Sequence, residues 1–161
     1  MQQWPADWPR PAKEIASATG DAIRAAAAAD RESFAEATAR LLVAEPDQVR
    51  AVHSAMVRSL LEDVHPDGLS GEAVQAVLER CARAAAAWVP DLDVGALAVV
   101  LTGSLGLSDP DEDAHRVGRS AIVGHAALVI ADLLAVAQAP VDGYLRRAIG
   151  EIARTETIEM P

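Results

Sequence analysis

Along this chain, stretches whose apolar residues recur every three or four positions alternate with short breaks built from proline and aspartate. Pro46-Asp47, Pro66-Asp67, Pro90-Asp91 and Pro110-Asp111 are such breaks, and Pro140-Val141-Asp142 is a variant. Proline lacks the N–H that a helix interior needs but fits the first turn, and a nearby aspartate complements the unpaired N–H groups and the positive end of the helix dipole. A 3.6-residue period without strand-like alternation predicts an all-α protein.

The first helix is expected over Ala12–Ala28, with Ile15, Ala18, Ala22 and Ile23 inward. A second, capped by Asp30 and running through Ala44, buries Phe34, Ala37 and Leu41. A third, Asp47–Val64, buries Val49, Val52, Met56 and Leu60, and places Arg58 and Glu62 as an exposed pair one turn apart. Ser70 opens a fourth, whose stripe of Val74, Val77, Cys81, Ala85 and Trp88 makes Cys81 a core residue. The fifth, Asp93–Leu107, is apolar almost all round, and the sixth, Asp111–Gln138, is the longest; both belong at the centre. A final helix spans Val141–Arg154. Short connections make neighbours antiparallel. The expectation is therefore one domain, residues 12–154, folded as a bundle of six or seven mostly antiparallel helices, preceded by an extended Trp/Pro-rich arm (1–11) and followed by an acidic tail (155–161).

Composition narrows the chemistry. With 161 residues, 51% of them hydrophobic and only 3% aromatic, the chain can bury a core, but one built from Ala, Val, Leu and Ile, poor in the rings that grip flat cofactors or bases. A net charge of −10 and no basic run argue against nucleic acid. Lys13 is the single lysine among 14 cationic residues, a bias that with the many alanines suggests a bacterial genome rich in G and C. Cys81 is alone, so no internal disulfide can form, and no export signal is visible; a cytoplasmic protein is expected. The segment Ala121–Ala139 approaches the length of a membrane span but carries His125, Asp132 and Gln138. An aspartate near a bilayer centre costs about 2.5–3.5 kcal/mol, so a buried helix is expected there, not a membrane contact.

Several spacings imitate metal sites. Glu62-x-x-His65 and Glu112-x-x-His115 match the pairs of di-iron bundles, but Pro66 disfavours helical geometry at His65, and Glu112 lies in an acidic first turn that helix capping explains. Asp109-x-Asp111-x-Asp113 opens like a calcium loop, then fails at Ala114, where glycine is needed, and at Ser120, where a glutamate is needed. No metal is expected. The chain has no phosphate-binding glycine loop, nucleophile elbow, paired-cysteine site or His-Glu-x-x-His motif, which points away from an enzyme and to no cofactor.

Two functional expectations remain. The sixth helix carries a stripe of small residues, Ser120, Gly124, Ala127 and Ala131, suited to close packing, and the arm carries Trp4 and Trp8. These are candidate interface residues for a non-enzymatic interaction or assembly protein that forms a homodimer or binds another protein. Alternatively His125 and Asp132, two turns apart on one face, and His53 on the third helix line a cavity near the central helices of a small-molecule-binding or metal-binding domain.

Overall fold

The computed structural model describes residues 5–159, with side chains through 154, and holds eight helices among them and no strand. They are α1 (Arg10–Ala27), α2 (Arg31–Val43), α3 (Pro46–Val64), α4 (Gly71–Ala86), α5 (Val94–Ser104), α6 (Pro110–Val117), α7 (Arg119–Ala137) and α8 (Val141–Glu159).

Local chemistry sets most of the starts. The side chains of Asp30, Glu45, Ser70, Asp93 and Asp109 each accept a backbone N–H of the helix that follows, at 3.1, 2.8, 3.1, 3.3 and 2.9 Å. Pro46 and Pro110 take the first helical position, and the cap is the acid before the proline, with Asp47 and Asp111 left in the first turn. Pro66-Asp67 and Pro90-Asp91 lie in turns, because Ser70 and Asp93 start the next helices further along.

The count of eight corrects the expected six or seven. Gly118 splits the long sixth helix into α6 and α7: its φ of +94° and ψ of 137° belong to a region that L side chains rarely enter. Its N–H closes on Ala114 O at 3.0 Å and its carbonyl accepts Ile122 N at 3.1 Å, so one residue ends one helix and begins the next. Gly106, at φ +75°, closes α5 three residues earlier than the apolar run suggests. At the ends of the chain, Pro5–Trp8 forms a turn (Trp8 N to Pro5 O, 3.1 Å) with α1 starting at Arg10, and α8 continues through Glu159. Trp8 is half-buried against the core, while Trp4 lies outside the described residues.

Helix α7 is the axis of the packing, touching α1 to α6, and α3 is its principal neighbour, also flanked by α5 and α8. Leu60, Leu97, Ile130, Leu133 and Leu145 are fully buried where these helices meet. By length and apolarity α7 is the one helix among the described residues able to cross a membrane, and half of it is buried inside the fold.

Candidate functional site

A cleft of about 450 Å³ opens where α3, α5, α6, α7 and α8 converge. Its floor is aliphatic, made by Val49, Val99, Val100, Ile122, Val123 and Ala126, and no Phe, Tyr or Trp lines it. Small residues at the convergence, among them Ala51, Gly103 and Ala114, leave the space unfilled. Its mouth is marked by exposed Arg58, Pro110 and Glu151. The volume is within the usual range of ligand sites, roughly 300–1,000 Å³.

His53 projects into the wall from α3 and is 4% exposed. Burial lowers its imidazole from the ordinary 6.5 to about 4, so it is neutral at neutral pH. Nε2 lies 3.0 Å from the Thr19 hydroxyl of α1, a fully buried group whose side chain has no other partner. A buried hydroxyl that kept its proton unused would forfeit a hydrogen bond, so Thr19 donates and Nε2 accepts. The imidazole proton then resides on Nδ1, the nitrogen left to the cleft, which has no partner among the described residues.

Other polar groups surround it. Among the described residues, the hydroxyls of Ser54 and Ser104, the latter on a residue 3% exposed, have no hydrogen-bond partner. Arg58 does not form the expected pair with Glu62. Its Nη1 turns to the Ser104 carbonyl at a long 3.4 Å, and among the described residues no carboxylate pairs with it. Arg119 donates to the carbonyls of Leu42, Ala44 and Leu41 at 2.7, 3.0 and 3.3 Å, closing the C-terminus of α2. Arg50 holds Asp47 at 3.1 Å, and Asp113 accepts from Ser108 at 2.6 Å and Arg116 at 3.2 Å.

The three polar residues singled out from the sequence occupy three different places. Only His53 lines the cleft. His125 donates from Nδ1 to Ala121 O of its own helix at 2.7 Å and accepts Asp93 N, at the start of α5, on Nε2 at 3.0 Å, so both nitrogens are engaged. It lines a wider groove of about 780 Å³ beside the edge-on pair Phe34 and Trp88, whose centroids are 5.3 Å apart. The groove is the larger space, but its single buried polar side chain is already committed, which is why the cleft is the stronger site. Asp132 faces α4, where Arg80 Nε donates to it at 2.8 Å; Nη2 lies 2.7 Å from the same oxygen but is poorly aimed. Beside them Cys81 is buried, and burial first, then the Asp132 carboxylate, push its thiol far up, away from reactivity.

Within the small-residue stripe, Ser120 is exposed and Ala131 is half-buried. Ala127 is fully buried with Ala22 and Ala37 of the same chain, and a Cβ on Gly124 would meet Phe34 at 4.0 Å. His65 caps α3 and binds Leu61 O through Nδ1 at 2.9 Å. Among the described residues no three His, Cys, Asp or Glu side chains gather as metal ligands would.

Of the cleft's polar groups only His53 stands out in the sequence. Ser104 at the end of an apolar helix and Arg119 directly after a glycine are visible signals, but nothing local says that they face the same space. Comparison with known proteins returns no matching family model, no matching curated protein and no matching solved structure.

Proposed function

We propose that this chain is a small-molecule-binding helical domain whose site is the cleft between α3, α5 and α7. The observation that carries the reading is an aliphatic cleft of about 450 Å³ into which two buried residues, His53 and Ser104, bring polar groups that no described residue uses. These atoms are open to the solvent in the cleft, so a ligand that displaces that water can take up their hydrogen bonds while its apolar part covers the aliphatic wall. Binding fits the geometry better than catalysis. With Nε2 occupied by Thr19 and the proton on Nδ1, His53 presents a donor to the cleft, not a base that could activate a serine.

Assembly as a homodimer through the small-residue stripe has less support, since Gly124 and Ala127 meet Phe34, Ala22 and Ala37 of their own chain. Amide-detected NMR with a library of small apolar compounds tests the binding reading. Resonances of Ala55, Val99, Gly103 and Ala126 are expected to move together, without those of Ser120 and Leu128 in the groove. If no compound shifts the cleft amides selectively, the reading fails.

A further inference from the structure

We propose that the ligand is an amphipathic organic anion, an aliphatic monocarboxylate whose chain lies on the valine and isoleucine floor and whose carboxylate is received by His53 Nδ1–H, the Ser104 hydroxyl and Arg58. This rests on the binding reading above and adds the sign and shape of the ligand.

The polar groups of the wall are donors. Thr19 fixes the imidazole as an Nδ1–H donor, the Ser54 and Ser104 hydroxyls have protons to give, and a guanidinium can only donate. The acceptors nearby are largely engaged: Asp113 already takes Ser108 and Arg116, and Ser104 O faces Arg58. A ligand matching this wall supplies acceptors.

Charge points the same way. The chain as a whole carries −10, yet the cleft is lined by three arginines, Arg50, Arg58 and Arg119, against two acids, Asp113 and Glu151. Pairs with residues outside the lining offset one charge of each sign, Asp113 with Arg116 and Arg50 with Asp47 and Asp111, whereas among the described residues neither Arg58 nor Arg119 has a carboxylate partner. Charge-assisted hydrogen bonds to a carboxylate are about twice as strong as neutral ones, so an anion gains where a neutral head of the same length gains less. An organic cation would meet the arginines. A nucleotide would find no Phe, Tyr or Trp ring to stack on. The aliphatic floor takes a hydrocarbon chain, and its lack of rings makes no demand for a flat one.

Calorimetric titration with octanoate, octan-1-ol and octylammonium separates the possibilities. Octanoate is expected to bind about tenfold more tightly than octan-1-ol, which corresponds to one added charge-assisted interaction, and octylammonium more weakly than either. Raising the salt concentration weakens octanoate and leaves octan-1-ol nearly constant. Arg58→Gln and Ser104→Ala each lower the octanoate affinity and narrow its lead over octan-1-ol, while Arg83→Gln, the same charge change on an exposed residue of α4 outside the cleft, leaves it unchanged. Retained octan-1-ol binding shows that a variant is folded. Equal affinities for octanoate and octan-1-ol, or a preference for octylammonium, overturn the anion assignment and leave the binding reading standing. If none of the three binds, the cleft itself is not the site.

Discussion

Acid should expose the cost of burying His53. Burial holds its imidazole at about 4, against 6.5 for the same group in the unfolded chain. The unfolded state therefore takes up a proton as pH falls below 6.5, while the folded state stays neutral until about 4. The contribution is present above 6.5 and is lost as pH falls toward the folded value. While the unfolded chain holds one more proton than the folded one, each drop of one in pH removes about 1.4 kcal/mol, so the loss is about 2 kcal/mol by pH 5 and approaches about 3 kcal/mol near pH 4. Carboxylates titrate over the lower part of this range too, so the measurement is a difference. Urea unfolding of the natural protein and of His53→Gln is followed at pH 7, 6 and 5, with the glutamine amide oxygen able to accept from Thr19. The variant is less stable at pH 7, and the gap is expected to close by about 2 kcal/mol at pH 5, because only the natural chain loses the histidine contribution. Parallel pH profiles, or a His53 titration near 6.5 by NMR, would refute the reasoning from burial.

Three further outcomes follow from individual contacts. Gly118→Ala places a Cβ in open space but forces alanine to a φ of +94°, so thermal unfolding should show a loss of about 1–3 kcal/mol due to backbone strain alone; an unchanged melting temperature would mean that the α6–α7 junction relaxes freely. Gly124→Ala meets only Phe34 at ordinary contact distance and should stabilise by up to about 1 kcal/mol, while Gly124→Leu must displace that ring and should cost about 1–3 kcal/mol; equal melting temperatures for the two would place Gly124 away from α2. Arg119→Met removes the donors that close α2 and should cost about 1.5–3 kcal/mol in urea unfolding, with a change below about 0.5 kcal/mol showing that water replaces them.

The helical class and most helix starts are written in local stretches of the chain. Asp30, Ser70, Asp93 and the Pro46 and Pro110 junctions act on N–H groups within three residues of themselves, so their effect is written locally. The break at Gly118 was not legible, because Gly20 and Gly124 sit inside helices and the same residue type takes a positive φ only where the packing of α6 and α7 demands a change of direction. Partner choice also belonged to the tertiary structure. Arg58 has Glu62 one turn away, yet its guanidinium lies at Ser104, 46 residues along the chain, and His125 and Asp132 share a helix face yet serve α5 and α4 separately. The cleft is non-local throughout, drawn from positions between Pro46 and Ile152 on five helices. Periodicity tells which side of each helix is buried, but not which neighbour covers it or where small side chains on several helices coincide. That coincidence is what brings His53, Ser104 and Arg58, three ordinary residues in the sequence, to the lining of one cleft.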